Sequence, residues 1–161
     1  MIIVEGCDNT GKSTLISTLQ ETFNIPAIRS GMKSPTYQAM LEYHHWTAAS
    51  PTPLVLDRHP VISDFIYGNL LRNGSESNPI LLTSVLESSY VIFAQPPFHI
   101  VAHTIDERDQ MSGVTDQLAG IYAAYNTLFE AHEPDQIYDY TKPNALNALI
   151  TNVAHYLEKT K

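Results

Sequence analysis

The sequence predicts an α/β fold: a mostly parallel, five-stranded sheet covered on both faces by helices. Two observations carry this expectation. Short apolar runs alternate with amphipathic helical stretches along the chain. A glycine-rich turn, Gly6-Cys7-Asp8-Asn9-Thr10-Gly11-Lys12-Ser13, joins the first apolar run to the first helical one.

The elements follow in order. Residues 1–5 (Met-Ile-Ile-Val-Glu) read as a buried strand. Residues 12–23 read as a helix, because Leu15, Ile16, Leu19 and Phe23 fall on one face. Ile25 to Arg29 is a second, short strand, and Thr36 to Thr47 a helix. Leu54-Val55-Leu56, before Asp57, forms the third strand. Pro60 suits the first turn of a helix that runs to about Arg72. Pro79 to Glu87 is another helix, and Tyr90 to Ala94 the fourth strand. Pro96-Pro97 opens a further helix, and Asp116 to Ala131 is a long one. Gln136 to Tyr140 is the fifth strand, and Pro143 to Lys159 the last helix. In such sheets ligands bind beyond the C-terminal ends of the strands. Chemistry is therefore expected just after Glu5, Arg29, Leu56 and Ala94.

With 161 residues and no repeat, low-complexity tract or linker, the chain reads as one domain, 1–161. The formal net charge of -8 argues against a nucleic-acid partner, which calls for a basic face. It leaves room for a small phosphorylated ligand, which needs only a few well-placed cations. No apolar run approaches the ~20 residues of a membrane span. Glu5 and Asp8 interrupt the first apolar stretch, so no signal peptide is expected. Cys7 is the one cysteine and has no partner for an internal disulfide, which suggests a reducing, cytoplasmic setting.

The turn at Gly6–Ser13 fits G-x-x-x-x-G-K-[ST]. Its glycines let the backbone wrap an anion, so that successive N–H groups point inward at phosphates. The helix that starts near Lys12 adds the positive end of its dipole. Lys12 is placed to reach β- and γ-phosphates, and Ser13 to ligate Mg²⁺. Asp8, Asn9, Thr10, Gly11 and Thr14 complete the ATP-binding loop. A lone glycine-rich turn also occurs without a ligand, but here the strand before it and the amphipathic helix after it supply the context the motif requires. Asp57 ends the third apolar strand, where a carboxylate holds Mg²⁺ through water. A helix N-terminal carboxylate before Pro60 is the plainer alternative. The adjacent Arg58 is the side chain for bidentate phosphate recognition.

Glu5-Gly6-Cys7-Asp8-Asn9-Thr10-Gly11-Lys12-Ser13-Thr14 and Asp57-Arg58-His59 together resemble the thymidylate kinase family of nucleoside monophosphate kinases, and Tyr67-Gly68 looks like its viral or phage relatives. The resemblance implies the three-layer P-loop NTPase fold, strand order 2-3-1-4-5, and a short lid at about 105–115. It implies Mg-ATP as donor and a (deoxy)nucleoside monophosphate, dTMP or a related dNMP, as acceptor. Lys12 and Ser13 would bind ATP and Mg²⁺, and Asp8 would sit near the sugar and phosphate of the acceptor. Arg58 and Arg29 would grip the acceptor phosphate, and Arg108 would be the lid arginine. Tyr122 and Tyr125 fall on the helix where the family places nucleoside contacts, and only one of the two need face the site. Tyr67 divides evenly between core and acceptor site. Helices beside the sheet suggest a homodimer by analogy.

Two departures bear on specificity. Arg29-Ser30-Gly31 replaces the family's Arg-Glu-Pro, and Arg29 and Asp57 are only 57 - 29 = 28 positions apart. The shortened interval is where the family carries its base-stacking aromatic and base-reading arginine. Tyr37, Tyr43, His44, His45 and Trp46 are the stacking candidates that remain. Two other readings stay open. A nucleoside or other small-molecule kinase with a hydroxyl acceptor would use Glu5, Asp8 or Asp57 as base. A non-catalytic nucleotide-binding protein would need none of them.

Overall fold

Strands β1 (Ile2–Glu5), β2 (Ala27–Arg29), β3 (Val55–Asp57), β4 (Tyr90–Ala94) and β5 (Gln136–Tyr138) form one parallel sheet in the order β2-β3-β1-β4-β5. They come from a computed structural model that describes residues 1–103 and 113–160. The expected lid and Arg108 fall largely on 104–112, outside the described residues.

Period-two alternation along each strand builds two cores. Ile3, Leu56, Val91 and Phe93 face one side of the sheet, while Ile2, Val4, Val55 and Ile92 face the other. Helices α1 (Lys12–Phe23) and α8 (Ala145–Lys159) cover the second side through Leu15, Leu19, Leu149 and Val153. The first side is covered by α2 (Tyr37–Ala48), α3 (Pro60–Ser63), α5 (Pro79–Glu87) and α7 (Val114–Ala131). A helix α6 (Phe98–His103) follows β4 and packs on α7. β1 and β4 are buried along their whole length, as expected for the middle of a parallel sheet.

Boundaries shift by a residue or two from the sequence expectation, each for a physical reason. Thr36 caps α2 rather than entering it, with its Oγ1 accepting from the Ala39 N–H. β2 starts at Ala27 because Pro26 has no N–H to pair, although its carbonyl accepts from Val55. β5 ends at Tyr138, and Asp139 then turns the chain by accepting from Thr141. Asn144 takes the left-handed region (φ 61°), so α8 begins only at Ala145.

The stretch from Pro60 to Leu71 holds one surprise. After α3 comes a π-helical turn, Asp64–Gly68, and then a short α4, Asn69–Leu71. Wide turns of this kind are rare and collect at functional sites. Here the turn carries Asp64 and Tyr67, both of which line the cleft described next.

Candidate active site

The loop between β1 and α1 is held by two tight approaches. Gly6 has φ 143°, and a Cβ there would lie 2.6 Å from the Ala94 carbonyl oxygen at the end of β4. Gly11 has φ 79° and sits under the Tyr140 ring, which a Cβ would meet at 3.0 Å. Gly6→Ala is therefore expected to push β1 and β4 apart and unfold the chain at a denaturant midpoint well below that of the unmodified protein. Chemical denaturation checks this, and an unchanged midpoint would mean that the loop tolerates a side chain.

Inside the loop the Lys12 ammonium donates to the Cys7 carbonyl and, at 3.4 Å, to Thr10 Oγ1. Burial pulls its pKa down to about 8, and the Arg58 charge adds to this. Asn9 takes φ 64°, a left-handed turn inside the loop that asparagine tolerates better than most residues. Ser13, on the first turn of α1, is exposed.

Arg58 joins the phosphate loop to the neighbouring cleft. Its backbone adopts φ 65°, a left-handed conformation that costs a non-glycine residue energy and marks positions of function. From there Nη2 donates to the Gly6 carbonyl at 3.1 Å and to Asp8 Oδ1 at 2.9 Å. The guanidinium lies over the Tyr67 ring, 5.1 Å from its centroid. The Tyr67 hydroxyl reaches Asp8 Oδ2 at 3.5 Å. Arg29 and Asp57 are register partners at the ends of β2 and β3, with Arg29 Nε 3.7 Å from Asp57 Oδ2. The Arg29 side chain is 79% exposed, so that pair contributes little and leaves the arginine able to turn to a ligand.

These residues line one cleft of about 370 Å³, a volume within the range of small-molecule sites. Arg29, Lys33, Arg58 and Arg72 all face it. Four of the chain's nine Lys and Arg therefore meet in one place, although the net charge is -8. That concentration makes the cleft locally basic on an acidic protein.

The cleft does not gather every candidate residue. Tyr125 is fully buried between Phe93, Phe129 and Tyr67, and its hydroxyl donates to Glu5 Oε2 at 2.9 Å. It is a core residue, because its face of α7 points at the sheet. Tyr122 donates to the Pro96 carbonyl and packs on Phe98, away from the cleft. Tyr37, Tyr43, His44, His45 and Trp46 do not line the cleft either. Met32, Ser63, Asp64 and Arg72 do, and no motif pointed to them.

Glu5 lies beneath this site and is fully buried. Its Oε1 accepts from the His59 N–H at 2.7 Å, and its Oε2 is taken by Tyr125. Burial pushes the carboxyl up to about 7, against the pull of the Arg58 charge. His59 is buried next to Tyr43 and His44. Its Nδ1 accepts from the Val61 N–H and caps α3, so the ring is neutral. Burial, with His44 adding to it, lowers its pKa to about 3.

The two groups act on stability with opposite signs. Glu5 has a raised folded pKa, so its contribution is present below its ordinary value of 4.5 and is lost as pH rises through about 7. The lowered pKa of His59 makes stability fall as pH drops below its ordinary value of 6.5. Between pH 4.5 and 6.5 the two oppose each other. Glu5→Gln is expected to unmask the histidine, giving a loss that approaches about 1.4 kcal/mol per pH unit on acidification. Urea unfolding at pH 6.5 and 5 measures it. Equal pH slopes in the variant and the unmodified protein would contradict the pairing.

No protein-family model matches the chain, and no curated protein matches it. Solved structures do. YorR from Bacillus subtilis, in complex with phosphorylated GDP, superposes with a TM-score of 0.77 at 18% identity, covering 99% of this chain and 98% of that one. Shikimate kinase from Aquifex aeolicus gives 0.59 at 13% identity, over 95% of each chain. A deoxyadenosine kinase from M. mycoides, with dCMP and dCDP bound, gives 0.56 at 12% identity over 99% of each. With the sheet order, the loop and the helices on both faces, these likenesses establish that the chain has the P-loop kinase fold.

Proposed function

We propose that this chain transfers the γ-phosphoryl group of Mg-ATP to the phosphate of a (deoxy)nucleoside monophosphate, dTMP or a related dNMP. The observation that carries the reading is Arg58: a largely buried guanidinium on a strained backbone, tied to the phosphate loop through Gly6 and Asp8, beside Arg29 and a ligand-sized cleft. That is a place for an anion next to the donor loop. The nucleotides bound to YorR and to the deoxyadenosine kinase support a nucleotide substrate here.

Phosphoryl transfer needs positioning and charge stabilisation more than covalent chemistry. The loop N–H groups and Lys12 hold the donor phosphates, and Arg58 and Arg29 hold the acceptor phosphate in line. The Ser13 hydroxyl and the Asp57 carboxylate are hard oxygen donors of the kind Mg²⁺ takes while keeping several waters. Bound there, the ion would neutralise charge between the β- and γ-phosphates. Arg108 is proposed as the lid cation that follows the moving group. A phosphate oxygen is already a nucleophile, so no base is required. A hydroxyl acceptor would require one, and two of the carboxylates at hand are engaged, Glu5 with both oxygens bonded and Asp8 paired with Arg58, while Asp57 is assigned to the ion.

A coupled assay of ADP release, run with Mg-ATP against nucleoside monophosphates and free nucleosides, tests this. Turnover with monophosphates is expected. Turnover confined to nucleosides would overturn the role of Arg58 and Arg29.

A further inference from the structure

The cleft contains two guanidinium clusters that share no partner. Arg58 is tied to Gly6, Asp8 and Tyr67, next to the phosphate loop. Arg72 is tied to different residues of the wall. Its Nη1 donates to the Lys33 carbonyl at 2.9 Å and to Ser34 Oγ at 3.1 Å, and its Nη2 donates to Asp64 Oδ1 at 2.6 Å.

Asp64 is engaged by the protein itself. Its side chain is 2% exposed, and Oδ2 accepts from Ser75 Oγ, the Glu76 N–H and the Ser77 N–H. A buried carboxylate with this many donors is a rigid anchor. It fixes the 75–77 turn on one side and clamps Arg72 on the other. Arg72 is 30% exposed, lines the cleft and uses at most three of its five N–H groups on the protein. At least two remain for a ligand, on a side chain whose orientation is already paid for.

We propose that Arg72, clamped by Asp64, reads the base of the acceptor and selects monophosphates whose base presents a carbonyl oxygen at that edge. This rests on the monophosphate reading above, which assigns the phosphate to Arg58 and Arg29 and leaves Arg72 for the rest of the ligand. A guanidinium only donates. The carbonyl edge of thymine, uracil or guanine accepts from it, whereas the amino group of cytosine or adenine faces donor with donor and leaves buried polar groups unpaired. Lys33, on the same wall, is also only a donor. Of the carboxylates that line the cleft, Asp8 and Asp64 are bonded to arginines, and Asp57 is assigned to the metal ion by the reading above. Arg72 follows the π-helical turn and α4, and lines the cleft from that segment.

The test is kcat/KM for dTMP, dGMP, dCMP and dAMP with the unmodified protein and with Arg72→Lys, which keeps the charge and loses the fork. The unmodified protein is expected to favour dTMP or dGMP by about 10–100-fold over dCMP and dAMP, and the variant to lose most of that ratio. A purely structural role would lower all four values together, and that outcome overturns the proposal. So does a preference of the unmodified protein for dCMP or dAMP, a reading that needs no folded variant. Absence of turnover with every monophosphate would overturn the monophosphate reading and this inference with it. Turnover with an unaltered ratio would overturn the role of Arg72 alone.

Discussion

Arg58→Ala is expected to lower kcat/KM for the acceptor by about 10²–10³, or roughly 2–4 kcal/mol of transition-state stabilisation. The magnitude follows from how this side chain is held. Its guanidinium donates to the loop carbonyl of Gly6 and to Asp8, and it lies over Tyr67. Orientation is therefore fixed before substrate arrives, and little entropy remains to be lost on binding. Removing it takes away the acceptor's anion clamp and leaves Asp8 with like charge facing the phosphate. The acceptor KM and kcat should both worsen, while ATP binding, followed as a thermal shift, should change much less. Arg58→Lys should recover only part of the loss, since an ammonium lacks the planar fork. A loss of less than threefold for Arg58→Ala would sink the assigned role.

Lys12→Ala is expected to cost a similar factor of about 10²–10³, but in kcat and on the donor side. The ammonium is buried within the loop and anchored on the Cys7 carbonyl, close to where the donor phosphates would lie. The fold should survive, because Thr10 Oγ1 still donates to the same carbonyl at 3.0 Å. A pH signature separates this residue from Arg58. Burial lowers its pKa to about 8, so the free protein loses this charge as pH rises through 8. The kcat/KM for ATP should therefore decline above pH 8 in the unmodified protein. That alkaline limb should vanish in Lys12→Ala, measured on its residual activity. A limb of unchanged position in the variant would assign the titration to another group.

Both predictions concern residues that local pattern made legible. An apolar run, a glycine-rich turn and an amphipathic helix specify one another within twenty-odd residues, so the Gly6–Ser13 loop and its flanks could be read from the chain alone. Asp57 and Arg58 were legible for the same reason, as polar residues ending an apolar strand. The sheet order came through resemblance, since spacing alone does not order parallel strands.

What the sequence hid depends on non-local geometry. Tyr122 and Tyr125 are three positions apart on one helix, and only the packing of α7 on Phe93 decides that Tyr125 faces the core. Asp64 and Arg72 were invisible because the π-helical turn breaks the 3.6-residue period that a face assignment relies on. The partners that make them a unit, Lys33, Ser34 and Ser75–Ser77, come from two separate loops. Glu5 looked like the last residue of a strand, and only the structure ties it to His59 and Tyr125.

The most direct measurement of the central claim follows the label from [γ-³²P]ATP in the presence of Mg²⁺ and dTMP, with products separated by chromatography. Label is expected in dTDP, at a rate that Arg58→Ala cuts by about 10²–10³. Label found only in inorganic phosphate, or in a monophosphate formed from added nucleoside, would contradict it.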